Sequence, residues 1–196
     1  SRAIAEYQCE QPEVSVDLTL DDRVVDIVSE GYDMAIRIGR LRESSLVARQ
    51  LAPIRLVVCG ASDYLVKRGV PKTPQDLKNH ECLRYTLSSY SDRWRFKDGE
   101  KTSDVSVSGK FSASNGDAIR LVAMAGRGLA LQPTFIVGND ISEGRLQLVL
   151  EDFEVEPMGL YAVYAHRKYL SGKVRTFVDF LSRYFGSPPY WESGLR

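Results

Sequence analysis

SNGDAIRLVAMAGRGLALQPTFIV, residues 114–137, is the stretch that decides the fold class. Ser114 and Asn115 are both residue types that cap a helix, because a side-chain oxygen accepts from the free N–H groups of the first turn. Behind them Ile119, Leu121, Val122 and Met124 recur at helical spacing, and Gly126 or Gly128 supplies the C-terminal stop. Leu129-Ala130-Leu131 is then a short apolar run of the kind that forms a buried strand, and Gln132-Pro133-Thr134 opens another helix. Helix, strand and helix in so short a span predict an α/β architecture.

Working outward, Leu146–Leu150 and Tyr161–Ala165 read as strands. Ser171 caps a last helix whose Val174, Phe177, Val178, Leu181, Tyr184 and Phe185 form one apolar stripe. In the tail, SPPYWESGLR, periodicity is lost, with Tyr190 and Trp191 as local docking points. Upstream, Val105, Val107, Phe111 and Ala113 belong to an extended segment, and Asp98-Gly99 marks a hairpin turn that Trp94 and Phe96 pack. Cys82–Thr86 reads as a strand and Thr73-Pro74 as the start of a short helix.

Leu46–Gly60 is one long extended stretch broken by Pro53, which cannot donate to a central ladder. Before it, Val14, Val16, Leu18 and Leu20 alternate with Ser15, Asp17 and Thr19, the period of a strand with one buried face. Asp21 and Asp22 then stand where a helix carrying Val24, Val25, Ile27 and Val28 would be capped, with Gly31 closing it and Met34–Ile38 following as a strand. Strand, helix and strand in so little chain predict parallel pairing through a crossover. The chain passes twice through such alternation, with extended crossings near 51–54 and 155–160. The expectation is two α/β lobes joined by two strands: lobe I from 1–52 and 158–186, lobe II from 53–157, and a tail from 187–196.

Charge removes one class of function. Twenty-six basic residues equal 26 acidic ones, so no electrostatic excess is available to hold a phosphate backbone. No apolar run approaches the roughly 18 residues of a membrane span, and no secretory signal is visible over residues 1–10. Cys9, Cys59 and Cys82 stand apart, without an even count or CxxC spacing, which suits a reducing cytoplasm.

Candidate chemistry is sparse. His80 and His166 are the only histidines, with neither metal-ligand spacing nor a nucleophile motif near them, so no catalytic residue, metal or cofactor is expected. Asp21-Asp22 reads better as a cap than as paired catalytic carboxylates. Gly126-Arg-Gly128 resembles a phosphate loop but follows a helix, whereas a phosphate cradle opens one. Ser114, Asn115 and Gly116 do lie at a strand-to-helix turn, where free N–H groups are available. Arg37 and Arg40 sit at a strand end, where α/β crevices form; Arg37 is placed to hold a carboxylate, or alternatively to pair on the surface with Asp33, Glu43 or Asp21.

Several motifs in order, GYDMAIRIG, SLVARQLAP, ASDYL, GVPKTPQDLKNHECL, the 114–137 stretch and LYAVYAHRKYLSGKVRTFVDFL, resemble the regulatory domain of LysR-type transcriptional regulators over roughly residues 4–185. The resemblance implies the fold of type 2 periplasmic binding proteins, two Rossmann-like lobes with an effector in the cleft between them. It places Thr19, Asp21, Thr86, Ser88, Gln132 and Pro133 at that cleft beside Arg37, Ser114, Asn115 and Gly116. It implies a homodimer or higher oligomer, no membrane partner, and DNA contact only through a helix-turn-helix outside this sequence. It also implies that a first strand and the start of a first helix precede residue 1, so that residues 1–12 finish that helix. A solute-binding protein of the same fold is the alternative.

Overall fold

The computed structural model describes residues 1–40, 46–88, 91–165 and 171–193. In chain order its elements are α1 (Arg2–Glu10), β1 (Ala35–Gly39), β2 (Leu46–Ile54), β3 (Leu56–Gly60), α2 (Ser62–Arg68), a 3-10 helix (Pro74–Asn79), β4 (Cys82–Tyr85), β5 (Arg93–Asp98) and β6 (Lys101–Ser106). There follow β7 (Ser112–Ala113), α3 (Gly116–Met124), β8 (Leu129–Pro133), α4 (Thr134–Ser142), β9 (Gln147–Val149), β10 (Glu154–Val155), β11 (Met158–Ala165), α5 (Gly172–Phe185) and a 3-10 turn (Tyr190–Glu192). The chain divides into two compact units, Ser1–Pro53 with Met158–Tyr190, and Ile54–Pro157 with the residues from Trp191 onward.

The first unit is built on a three-stranded sheet in the order β1-β11-β2, with β1 antiparallel to β11 and Arg37 level with Tyr161. Helix α5 buries Val174, Val178, Phe180 and Leu181. Its Ser171 cap accepts from the Val174 N–H, as its position ahead of the stripe requires. Tyr7 of α1 is buried against α5, its ring 4.7 Å from Phe177 and 5.3 Å from Phe180 and its hydroxyl 2.7 Å from Thr176 Oγ1. Cys9, on the same helix, is exposed.

Residues 14–31 depart from the sequence reading. The alternating segment 14–20 joins no ladder among the described residues, and Leu20 is 82% exposed. A strand persists only where a neighbour takes up its N–H and C=O groups, and β1, its expected parallel partner, pairs antiparallel with β11 instead. No helix follows. The Asp21 carboxylate binds the N–H and guanidinium of Arg23, while Asp26 Oδ1 accepts from Val28 N (3.0 Å) and Ser29 N (3.2 Å). These side-chain bonds fix a turn that ends at Gly31, whose φ of 76° glycine adopts without strain. Only Ile27 is buried; Val24 and Val28 face solvent, so the apolar stripe has nothing to drive a short helix. The 46–60 stretch is interrupted at Arg55, not at Pro53, because β2 is an edge strand that tolerates proline.

The second unit holds a five-stranded sheet in the order β7-β4-β8-β3-β9. Strand β4 runs parallel to β7 and β8, whereas β3 runs antiparallel to β8 and β9. A β5-β6 hairpin, turning at Gly99, pairs with β10. Its Trp94 and Phe96 are buried with Val58, Leu77, Cys82 and Leu129 in one core. A second core contains Val57, Cys59 and Ala130 with Ile119 and Ala123 of α3 and Val137 of α4. Alternation along β3 thus supplies both cores, and burial pushes the Cys59 and Cys82 thiols up to about 12. The tail is docked: Trp191 meets Phe135 edge-on, and Glu192 accepts from Thr134 and pairs with Arg55.

Candidate functional site

Because β7, β4 and β8 are parallel, their C-terminal ends open at the same edge of the second unit's sheet, where α/β crevices form. Tyr85 is level with Ala113, and the Thr86 N–H continues the ladder to Ala113 O at 2.9 Å. That edge collects Thr86, Ser88, Ser114, Asn115, Gly116, Gln132 and Pro133, seven of the ten expected effector residues. Thr86 and Ser114 are exposed, and Ser88 lies in the turn after β4, its N–H directed to Tyr85 O.

Of the two cap candidates, Asn115 does the work: its Oδ1 accepts from Ala118 N at 3.0 Å, and its carbonyl accepts from Ile119 N. Gly116 opens α3 against the neighbouring strand, and a Cβ there would stand 2.7 Å from Ile136 Cδ1 and 3.4 Å from Gln132 Oε1. Gln132 is only 2% exposed, and its Oε1 has no hydrogen-bond partner. Pro133 caps α4, where Thr134 donates its N–H to Arg55 O.

A group that sequence reading missed holds α3 against α4. Asp140 is fully buried and accepts from Arg120 and Arg145. Its carboxyl is held below the usual range, chiefly by the Arg120 hydrogen bond, with burial opposing and Arg145 assisting.

The other three expected residues belong to the first unit. Thr19 is exposed in the unpaired 14–20 segment, and Asp21 is engaged by Arg23, which lowers its pKa. Arg37 donates to Val25 O, while two of its three expected surface partners are engaged elsewhere: Asp21 binds Arg23 and Asp33 binds Lys173. Glu43 and His166 lie outside the described residues. Ile27, Tyr32, Asp33, Ala165, Ser171 and Val174 line a small pocket of about 70 Å³ that includes none of the expected residues. It arises from the 27–31 turn, which the sequence pattern had assigned to a helix.

His80 is buried at the end of the 3-10 helix, its Nδ1 3.2 Å from the Tyr64 hydroxyl, and burial lowers its pKa. Gly128 is a packing residue, since a Cβ would meet Glu81 O at 2.5 Å where β8 passes β4. Among the described residues no group of three His, Cys, Asp or Glu side chains is placed to hold a metal.

Residues 1–186 match the family model described as LysR substrate binding domain. The chain is 31% identical to the HTH-type transcriptional activator AaeR of Escherichia coli over 176 residues, 90% of this chain and 57% of that protein. It is 32% identical to the E. coli HTH-type transcriptional regulator DmlR over 175 residues, 89% of this chain and 57% of the relative. The chain therefore spans little more than half the length of these relatives. Among solved structures it is similar to the CrgA regulatory domain, a LysR-type regulator from Neisseria meningitidis, with a TM-score of 0.83 and 30% identity over 94% of this chain and 91% of that one. The Vibrio cholerae virulence activator AphB superposes with a TM-score of 0.80 at 25% identity, over 93% of this chain and 62% of AphB. With the family model, the named regulators and the fold in agreement, the chain belongs to the LysR substrate-binding family, the regulatory domain of LysR-type transcriptional regulators, with the type 2 periplasmic-binding-protein fold.

Proposed function

We propose that this domain senses a small polar metabolite without chemical transformation and couples its occupancy to transcription. The supporting observation is the buried Gln132 side chain, whose Oε1 has no hydrogen-bond partner, beside the first turn of α3 at the edge where three parallel strands end. Helix starts and strand ends of this kind are ready polar sites for a carboxylate or a phenol. The family resemblance extends the site to an interlobe cleft, and it favours a regulator over a solute carrier of the same fold. In this reading the protein works in the cytoplasm as a homodimer and contacts DNA through a helix-turn-helix outside residues 1–196. An effector that binds both conformational states equally would shift nothing, so the response requires differential affinity.

The test is isothermal titration with a panel of small carboxylates and phenols, on wild type, Thr86→Ala and Ser114→Ala. Loss of one ordinary hydrogen bond weakens binding by about 0.5–1.5 kcal/mol. Asn115→Ala is a poorer test, since it also removes the α3 cap. Identical affinities in all three proteins place the effector elsewhere.

A further inference from the structure

We propose that Gln132 sets the chemical class of the effector, selecting a carboxylate that carries a hydroxyl or amino donor next to it. This rests on the effector-binding reading above and goes further, from location to ligand chemistry.

Gln132 stands on β8 in the run LALQP, where Leu129 and Ala130 are fully buried and an apolar side chain would pack without penalty. Instead the strand carries an amide that is only 2% exposed, and no group donates to its Oε1. A buried carbonyl oxygen without a donor is costly, and the cost disappears when a donor arrives. That oxygen lies 3.4 Å from the position a Cβ would take on Gly116, so it is directed at the first residue of the nine-residue helix α3.

The first turn of α3 supplies the complementary half. Ala118 N and Ile119 N are taken up by Asn115, and the two N–H groups ahead of them, on Gly116 and Asp117, precede any intrahelical acceptor. They present donors and the positive end of the helix dipole, which suits a carboxylate. Glycine at 116 is what lets Ile136 of α4 pack against the start of α3, since a Cβ there would stand 2.7 Å from Ile136 Cδ1. Two donors beside one acceptor are matched by an acceptor group beside one donor. A plain carboxylate satisfies the helix and leaves Gln132 unpaired; a hydroxy or amino acid satisfies both.

Matched triplets test this: lactate, alanine and propionate, and 2-hydroxybenzoate, 2-aminobenzoate and benzoate. Each is titrated into wild type and Gln132→Met, following the Gly116 and Asp117 amide resonances. In wild type the donor-bearing member of at least one triplet binds about tenfold tighter than its plain counterpart, the equivalent of one neutral hydrogen bond. The hydroxyl and amino arms identify which donor is read. In Gln132→Met that preference collapses while the melting temperature holds or rises, because an unpaired polar group has been removed; a purely structural glutamine would lower it. Resonance shifts at Gly116 and Asp117 with equal affinity across every triplet overturn the role of Gln132 and leave the effector-binding reading intact. A preference that survives in Gln132→Met does the same. No shift at either amide with any of the six compounds overturns both. The wild-type comparison stands even if the variant fails to fold.

Discussion

Asp140 illustrates how much a single side chain can hold. Its carboxylate is fully buried and joins Arg120 of α3 to Arg145 beyond α4, so removing its charge leaves two guanidinium groups without their shared partner. Breaking one side of a buried ion pair costs about 3–5 kcal/mol, and the partial exposure of both arginines puts Asp140→Asn at the lower end, near 3 kcal/mol. The folded-state pKa is depressed below the ordinary 3.8. Its stabilisation is therefore complete above the unfolded value and is lost as pH falls through the folded one, so chemical denaturation should show an acid limb beginning near pH 4 that is shallower in Asp140→Asn. An unchanged limb would mean that other carboxylates dominate acid unfolding. Asn115 was legible in the sequence because a cap acts on the residues immediately after it. Asp140 was not, because its partner Arg120 lies on another helix and nothing local in TFIVGNDIS marks one aspartate as buried. For Arg37, the strand position was read correctly but not its backbone acceptor, Val25 O, which exists only because 21–31 folds as turns.

At the scale of elements, the two units were not equally readable. In the second unit the caps, the Asp98-Gly99 hairpin and the apolar runs all have their partners within the chain, so local pattern and final structure coincide. In the first, a period-two pattern over 14–20 records which face of a strand would be buried but not what it pairs with, and among the described residues it has no partner. The consequence is measurable. Leu20→Ser and Val24→Ser, each at a site 82% exposed, should change stability by no more than about 0.5 kcal/mol, whereas Ile27→Ala, at 0% exposure, should cost about 2–4 kcal/mol. Urea denaturation of the three variants checks this; a loss above about 1.5 kcal/mol from Leu20→Ser would show that segment 14–20 is packed in solution.

Taken as a whole, a molecule with equal numbers of acidic and basic residues has no general attraction for nucleic acid. Residues 1–196 alone should not retard an operator fragment specifically at physiological salt, and a sequence-specific mobility shift would contradict the assignment of base reading to a separate segment. The distribution of cysteines gives the same molecule a practical property. The Cys59 and Cys82 thiols lie in the two cores of the second unit, where burial pushes them up to about 12 and keeps them protonated and out of reach of solvent. Cys9 alone faces solvent, two residues past the Tyr7 ring that packs α1 onto α5. The wild-type chain thus already offers one accessible thiol out of three for labelling: a maleimide fluorophore attaches at one known point on α1, and loosening of that helix can be followed optically without engineering any residue.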